Sequence, residues 1–265
     1  MTTGADIQAA ARYQRQVALP QLGPDGQLRL ASGRVLVVGL GGLGSWVAEL
    51  LARSGVGFLR LADDDLVELA NIHRQALYGE AEAAGRLPKV HAAAAHLATI
   101  NRSVVAEPAA ERVDRFNLDR LAGDVDLLID GTDNFETRFL LNDYAVKHGK
   151  PWIFAGVIGT EAMTFTFVPG RTLCLRCLLD SPPSECGATS CRERGVLGPV
   201  VAAVAALQAG EAIKLLSGHV EVASEYLVRF DPWQNLFQRV NVLKGSRRAK
   251  DCICCDQGDY EYLEP

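Results

Sequence analysis

The chain has 265 residues, of which 48% are hydrophobic and 22% are charged, and its formal net charge is -5. Such a composition fits a globular protein with a sizeable core, and the negative charge argues against broad attraction to nucleic acid or anionic membranes. The N-terminus lacks the features of a signal peptide, and the longest apolar run, at 200–207, is too short to span a bilayer. We therefore expect a cytoplasmic protein without nucleic-acid or membrane partners. Its seven cysteines are expected to be ligands or reactive thiols rather than disulfides.

Strand and helix patterns alternate along the first 160 residues and then change. A mostly helical, polar segment comes first. Strands are predicted at 35–38, 58–62, 103–107, 126–130 and 152–155, and helices at 43–53, 89–100 and 134–148. A strand at 163–168, a Cys-, Pro- and Gly-rich stretch at 170–198, a helix at 199–216 and a hairpin within 225–242 follow.

This order predicts an α/β fold with a Rossmann-like, mostly parallel sheet that carries helices on both faces. A smaller, antiparallel C-terminal part is expected to be tied down by zinc. We divide the chain into an N-terminal helical segment (1–30), a Rossmann-like region (31–160) and a smaller C-terminal region (161–265), which together form one compact domain.

A glycine-rich turn joins the first strand to the helix that follows it. Gly39, Gly41 and Gly44 fit the pattern G-x-G-x-x-G, which lets the backbone approach phosphates at a helix N-terminus. Asp63, at the end of the second strand, is placed to accept hydrogen bonds from ribose hydroxyls. Taken alone, this pattern also suits an NAD-dependent oxidoreductase, or a turn that only packs a helix on a strand.

Polar and charged residues cluster after the second and fourth parallel strands. Arg74 and Lys89 are candidate phosphate ligands, although a solvated surface pair would show the same spacing. Asp133 is suited to hold Mg²⁺ against a triphosphate, because Mg²⁺ prefers one or two carboxylates together with phosphate oxygens. Asp133 is also a candidate cap for the next helix, and both roles can hold.

Four cysteines form two C-x-x-C pairs, Cys174 with Cys177 and Cys252 with Cys255. Each pair can supply two ligands of a tetrahedral Zn²⁺, and four thiolates make a closed, structural site. A redox role for two such pairs is the weaker alternative, because the chain shows no thioredoxin-like context. Cys254 has poorer spacing for a ligand and is left out of the set.

Five short motifs follow one another along the chain: RYQRQ at 12–16, VLVVGLGGLGS at 35–45, NIHRQ at 71–75, PKV at 88–90 and GTDN at 131–134. In order and spacing they resemble the ThiF/MoeB/HesA family, the bacterial relatives of ubiquitin-activating enzymes, from about residue 12 to residue 257. The resemblance implies that 31–160 is an adenylation region that binds ATP and Mg²⁺ rather than NAD. It also implies that 161–265 docks a carrier protein and holds a zinc site. One departure is an extra residue in GRLPK at 85–89, where the family has G-x-P-K.

The resemblance also implies roles for individual residues. Asp63 would hold the ribose, Asp133 would coordinate Mg²⁺, and Arg15 would reach the ATP of the partner in a homodimer. Asn71, Arg74 and Lys89 would contact phosphates. The predicted nucleotide-binding set is Gly39, Gly41, Gly42, Gly44, Asp63, Asp65, Asn71, Arg74, Gln75, Lys89, Asp133 and Asn134.

The loop cysteines form a separate question. Cys191 lies beside Arg192 and Arg194, which favour its thiolate. In the family a cysteine at this place lies in a crossover loop, and in the thiamin branch it bonds covalently to the carrier. We count Cys191 with Arg15, Arg74, Lys89 and Asp133 as candidate catalytic residues, the alternative being an incidental loop cysteine. Cys186 matches no motif.

The sequence therefore predicts an ATP-dependent adenylyltransferase. Its substrate would be the C-terminal glycine carboxylate of a ubiquitin-like sulfur carrier (ThiS- or MoaD-like) ending in Gly-Gly, which becomes an acyl-adenylate before thiocarboxylate formation. The thiamin, molybdopterin and other thioacid pathways all remain open. Because the chain ends at Pro265, we expect a separate sulfurtransferase or cysteine desulfurase. Phe165, Phe167 and Trp233 are candidate contacts for the carrier.

Two rival functions remain. An NAD-dependent oxidoreductase would leave the cations, Asp133 and the cysteine pairs without a purpose. A non-catalytic scaffold of the same fold would typically lack the phosphate-binding Arg, Lys and Asp that this chain keeps.

Overall fold

The computed structural model describes residues 4–183, 195–242 and 251–264. The predicted catalytic residue Cys191, and Cys186 with it, lie outside the described residues. The strands are β1 (Arg34–Val38), β2 (Phe58–Ala62), β3 (Val105–Ala109), β4 (Leu127–Asp130), β5 (Trp152–Ile158), β6 (Glu161–Phe167), β7 (Leu227–Asp231) and β8 (Leu236–Val240).

The described helices include α1 (Gly4–Val17), α2 (Gly23–Ser32), α3 (Gly42–Ser54), α4 (Glu80–Ala84), α5 (Lys89–Ile100), α6 (Leu118–Ala122), α7 (Phe135–His148), α8 (Leu175–Leu178) and α9 (Gly198–Leu216). Two 3₁₀ helices span Leu69–Arg74 and Val220–Val222.

The strands form one eight-stranded sheet in the order β3-β2-β1-β4-β5-β6-β7-β8. The first five strands in this order (β3, β2, β1, β4 and β5) are parallel to one another. The last three strands (β6, β7 and β8) each pair antiparallel with the strand before them. Val38 at the end of β1 pairs with Ala62 of β2 and with Asp130 of β4. The loops that follow these three strands therefore meet at one edge, where ligands bind in open α/β sheets. The predicted fold class is confirmed.

Hydrophobic residues fill both faces of the sheet. On one face α9 packs against α3, β5 and β6. On the other face α6 and α7 cover a second cluster around Phe139, Tyr144 and Trp152, all of which are fully buried. By length and composition alone α9, with a mean hydropathy of 1.5, could cross a membrane. Here Val200, Val204 and other residues of α9 are part of the core.

The C-terminal sheet corrects one sequence-based expectation. Phe165 and Phe167 are 2% and 3% exposed and pack in the core, so they cannot contact a carrier. They are buried because β6 lies between β5 and β7, with α7 below its apolar face. Trp233, in the turn between β7 and β8, is 71% exposed.

Asp124, just before β4, forms a charged cluster with Arg60 and Arg34, and this cluster predicts that the protein loses stability in acid. Hydrogen bonding from Arg60, supported by Arg34, lowers the pKa of Asp124 to about 2. Because the folded-state pKa lies below the unfolded value, this pair stabilises the protein above about pH 4 and stops doing so as pH falls towards 2. We expect the urea midpoint of the wild type to exceed that of Asp124→Asn at pH 5, and the two midpoints to converge near pH 2. A difference that persists unchanged at pH 2 would contradict this.

Candidate nucleotide site and metal cluster

The loops after β1 and β4 touch through their backbones, and glycine makes this possible. Gly39 adopts φ +84°, and a Cβ there would lie 2.8 Å from the carbonyl oxygen of Gly131. A Cβ on Gly131 would in turn lie 2.4 Å from the oxygen of Gly39. Gly44 lies in the first turn of α3 against the carbonyl group of Gly39, with no room for a side chain. Side chains at these three positions would separate the two loops.

The turn leaves open space at its centre. The nearest atom to a Cβ built on Gly41 is Nε2 of Gln75, at 3.8 Å. Gln75 is 4% exposed, and its Oε1 has no hydrogen-bond partner among the described residues. The side chain of Arg74 crosses over Gly42. Backbone N–H groups at a helix N-terminus, an arginine and an unsatisfied buried amide together suit an anionic, hydrogen-bonding ligand.

Asp63 is fixed by the backbone at the end of β2. Its Oδ2 accepts a hydrogen bond from the N–H of Leu40 at 2.6 Å, and its Oδ1 accepts one from the N–H of Asp65 at 2.8 Å. Burial raises the pKa of Asp63, and the charge of Lys89 opposes that rise. The carboxylate thus faces the glycine-rich turn in a fixed orientation and has further lone pairs for a ligand hydroxyl.

Lys89 begins α5 and is almost completely buried. Its Nζ lies 2.6 Å from Oδ2 of Asp65 and 3.9 Å from Oδ1 of Asp63. In the preceding loop Arg86 adopts φ +47°. An antiparallel β-bridge joins Leu66 to Pro88, directly before Lys89. The insertion therefore does not prevent Lys89 from reaching this edge of the sheet.

Arg74 lies at the end of the 3₁₀ helix Leu69–Arg74, which the sequence patterns did not indicate. Its Nη2 donates to Oδ1 of Asn71 at 2.7 Å. Its carbonyl oxygen accepts a hydrogen bond from the indole of Trp46 on α3 at 3.1 Å. The guanidinium and the amide of Asn71 are thus held together beside the glycine-rich turn.

Asp133 is exposed, and no ion pair or hydrogen bond to its side chain is found within 4–183, 195–242 and 251–264. The cap of α7 is Asn134, whose Oδ1 accepts a hydrogen bond from the N–H of Thr137 at 2.9 Å. The capping alternative for Asp133 is therefore wrong. Its carboxylate is available to a cation at the edge where β1, β2 and β4 end.

Arg15 is not brought to this edge. Arg12 donates to the carbonyl oxygen of Ile100 at 2.9 Å, and Gln16 donates to that of Ser54 at 2.9 Å. Ser54 and Ile100 are the last residues of α3 and α5, where the chain returns to the opposite edge of the sheet. Arg15 is exposed between these two anchors, away from the glycine-rich turn of its own chain.

Four cysteines converge where the C-terminal tail meets α8. Their Sγ atoms all lie within 4.8 Å of one another, and the neighbouring pairs are separated by 3.5 to 3.7 Å. Zn–S bonds of about 2.3 Å in a tetrahedron require S···S distances of about 3.8 Å. Cys174, Cys177, Cys252 and Cys255 therefore fit a tetrahedral metal ion with little movement.

The side chain of Asn142, on α7, contacts both of the segments that carry the cysteine pairs. Oδ1 of Asn142 accepts the N–H of Leu175 at 2.7 Å, and its Nδ2 donates to Sγ of Cys254 at 3.5 Å. Cys254 is fully buried and its thiol donates to Asp143 at 3.4 Å. Cys254 thus packs the metal-binding segment onto α7 and is not among the four grouped thiols.

The model of the ThiF family matches residues 13–254. The chain belongs to the ThiF family. The family recognised from the five motifs is thereby confirmed.

Relatives in the ThiF family carry adenylyltransferase names. The sulfur carrier protein ThiS adenylyltransferase of Bacillus subtilis is 39% identical over 252 residues, which are 95% of this chain and 73% of the relative. The adenylyltransferase and sulfurtransferase MOCS3 of Sus scrofa is 40% identical over 246 residues, 93% of this chain. The chain spans about half the length of this second relative, 53%.

The fold is shared with a solved structure. The crystal structure of Escherichia coli MccB with ATP superposes with a TM-score of 0.75, covering 96% of this chain and 82% of the other, at 21% sequence identity. At this identity the likeness concerns the fold.

Several site residues of this ThiF family chain were missed by the sequence analysis. Trp46, Arg138 and Asn142 position loops without belonging to any of the five motifs. One signal was present, since α7 carries Arg138 and Asn142 four residues apart, on one face of a helix, within an apolar stretch. Polar residues on a buried helical face need partners, and here the partners are loops of the two sites.

Proposed function

We propose that this chain is an ATP-dependent adenylyltransferase acting on the C-terminal glycine carboxylate of a ubiquitin-like sulfur carrier that ends in Gly-Gly. The observation that carries the proposal is the set of groups at one edge of the sheet. The glycine-rich turn follows β1, and the loops after β2 and β4 bring Arg74, Lys89 and Asp133 to the edge where these strands end. Asp133 has no partner among the described residues. An NAD-dependent oxidoreductase needs only the glycine-rich turn and Asp63. A non-catalytic scaffold needs none of the charged groups.

In the proposed reaction a carboxylate oxygen of the carrier attacks the α-phosphorus of ATP. The bond from that phosphorus to the bridging oxygen breaks, and pyrophosphate leaves with the electron pair. Two anions must approach each other, so the site has to neutralise charge and hold the reactants in line. Arg74, Lys89 and Asn71 would contact phosphate oxygens. Backbone N–H groups of the glycine-rich turn would do the same, and Asp63 would hold the ribose.

Two metal ions belong to this proposal. When bound, Mg²⁺ would neutralise phosphate charge, and Asp133 would be its protein ligand. Zn²⁺ at the four cysteines would be structural, because four thiolates leave no open coordination position. Both assignments fit the donor groups present, an exposed carboxylate in the first case and four clustered thiols in the second.

The carrier body is proposed to dock on the region 161–265. Trp233 and Phe237, on the hairpin of β7 and β8, are 71% and 64% exposed. Among the described strands β8 is at the edge of the sheet, a position at which a partner can add a strand. The sulfur donor is proposed to be a separate sulfurtransferase or cysteine desulfurase, and the setting the cytoplasm.

Arg15 is proposed to complete the site of a second copy in a homodimer, because its own chain holds it at the opposite edge. This predicts complementation between two inactive variants. Mixing Arg15→Ala with Asp133→Ala, with subunit exchange, should restore intact sites at about a quarter of positions, since half of the dimers are mixed and each has one complete site. ATP–pyrophosphate exchange measures the recovery. Absence of recovery despite formation of mixed dimers would place Arg15 outside the shared site.

The experiment that tests the function is ATP–pyrophosphate exchange with candidate carriers. We expect exchange only with a carrier that ends in Gly-Gly, and none when the same carrier lacks its last two residues. A parallel binding assay with NAD should show no binding. Binding of NAD without binding of ATP, together with no exchange for any carrier, would overturn the proposal.

A further inference from the structure

A buried ion pair lies directly beneath the loop that presents Asp133. Nε of Arg138, on α7, donates to Oδ2 of Asp130 at 2.9 Å. Asp130 is the last residue of β4 and is fully buried, and Arg138 is 6% exposed. The phenyl rings of Phe135 and Phe154 lie about the guanidinium, at 5.0 and 4.9 Å. The arginine is therefore held in one orientation by its surroundings.

The same guanidinium also holds the backbone of the loop. Its Nη2 donates to the carbonyl oxygen of Thr132 at 2.8 Å and to that of Ala155, on β5, at 3.1 Å. Arg138 thus ties the residue immediately before Asp133 to two neighbouring strands of the sheet. The planar guanidinium holds its donors in a fixed fork that matches these separated acceptors, whereas a lysine ammonium lacks that fixed geometry.

Further contacts fix the loop from other directions. Gln208, on α9 across the sheet, donates from Nε2 to the carbonyl oxygens of Asp130 at 3.0 Å and Ile153 at 3.1 Å. Gly131 donates to the carbonyl oxygen of Val38 at 2.8 Å, which joins the loop to β1. The backbone leading to Asp133 is thus held on both faces of the sheet and against the glycine-rich turn.

These contacts distinguish the two acids of the loop. Oδ1 of Asp130 accepts hydrogen bonds from the N–H and the hydroxyl of Thr132, at 2.9 and 2.6 Å, and its Oδ2 is taken by Arg138. Asp130 is therefore committed to the interior. Asp133 has no such partner in the described part of the chain and faces solvent. Only one of the two carboxylates is left for a cation.

We infer that Arg138 is a positioning residue for Asp133. By anchoring Asp130 and Thr132, it holds the carboxylate of Asp133 where a nucleotide-bound divalent cation would be coordinated. Arg138 itself touches neither nucleotide nor cation. This inference rests on the proposed function, because it assumes that Asp133 binds the cation of Mg²⁺·ATP.

The test is a double-mutant cycle in the binding of Mg²⁺·ATP, measured by calorimetry on the full chain. Arg138→Gln is expected to weaken binding of Mg²⁺·ATP about tenfold and to reduce exchange about a hundredfold, since a displacement of about 1 Å is enough for the latter. In an Asp133→Asn background, Arg138→Gln should change binding less than about twofold, because the group it positions is already gone. Should Arg138→Gln fail to fold, Arg138→Lys takes its place in the same cycle.

Arg112→Gln is the matched control. Arg112 pairs with Glu136 at 3.2 Å, close to the same helix start, but both side chains are largely exposed and such pairs contribute little. This variant should bind Mg²⁺·ATP and support exchange as the wild type does. A change equal to that of Arg138→Gln would show a general effect of charge near α7 and would overturn the inference.

The outcomes separate the inference from the function on which it rests. If the wild type binds no Mg²⁺·ATP and supports no exchange, the proposed function fails. If the wild type does both but the effects of Arg138→Gln and Asp133→Asn multiply independently, Arg138 has a purely structural role and only the inference fails. Unchanged Mg²⁺·ATP binding in a variant with a lowered unfolding temperature has the same meaning.

Discussion

Replacing Asp133 with alanine is expected to lower carrier-dependent ATP–pyrophosphate exchange by roughly 10²–10³-fold, the cost of removing one preorganised charge-stabilising group from an active site. The side chain is exposed at the edge where β1, β2 and β4 end and has no partner within the described residues. Its loss should therefore leave the fold intact and act on the cation alone. Exchange is measured over a series of Mg²⁺ concentrations, with the unfolding temperature recorded for each variant.

The neighbouring acid Glu136 supplies the control for this prediction. Glu136 lies in the first turn of α7, and its side chain is 80% exposed in a surface ion pair with Arg112. Glu136→Gln removes a charge three residues away without removing the proposed cation ligand, so it should retain exchange within about twofold. If Asp133→Ala retained exchange at every Mg²⁺ concentration, the cation would have to be held by other groups. Asp130 could not replace it without breaking its pair with Arg138.

The architecture of the parallel part could be predicted because its signals are local. Short apolar runs ended by Gly39, Asp63 and Gly131 mark strands that stop at one edge, and the apolar helices between them require a right-handed, parallel arrangement. The predicted bounds differ by a few residues at most, for instance 43–53 against Gly42–Ser54. Glycine at 39 and 131 is required by two backbones that nearly touch, so the pattern in the sequence and the packing have the same cause.

Partners distant in sequence could not be predicted in this way. The spacing of Arg138 and Asn142 on α7 indicates that they need partners, but it does not identify those partners, which lie in β5 and in the cysteine segments. Phe165 was misjudged for the same reason. Its alternation with polar residues predicted a strand correctly, but the alternation does not say whether the apolar face meets α7 or solvent.

Lys89 has an ion-pair partner that the sequence did not indicate. The sequence predicted a phosphate ligand, and the structure holds its ammonium group 2.6 Å from Asp65. Asp65 is 68% exposed, so the ion pair is open to solvent on one side. In the proposed reaction the phosphates would compete with Asp65 for a lysine that is already held at this edge of the sheet. Such preorganisation reduces the side-chain entropy lost on binding.

Removal of one predicted metal ligand should have the largest effect on the C-terminal tail. Cys252→Ser is expected to abolish stoichiometric zinc binding and to lower the unfolding temperature by about 10 °C. Structural zinc sites in peptides bind the metal with a free energy of about 10–16 kcal/mol. If loss of the metal lowers the free energy of unfolding by only about 4 kcal/mol of this, the unfolding temperature of a chain of this size falls by about 10 °C. Metal content by mass spectrometry and thermal unfolding, each with and without a chelator, provide the measurements. The chelator should destabilise the wild type but not the variant.

Cys254→Ser is the matched control, because Cys254 lies between two predicted ligands but points to Asn142 and Asp143. A serine hydroxyl can keep both hydrogen bonds, so this variant should retain one zinc ion per chain and its sensitivity to the chelator. If Cys254→Ser lost the metal while Cys252→Ser kept it, the ligand set would have to include Cys254. The buried network with α7 would then be part of the metal site.

If both variants kept their metal content and stability, the four thiols would not form a structural zinc site. The tail would in that case depend on its contacts with α7 alone, such as the hydrogen bond from the N–H of Tyr262 to Asp143.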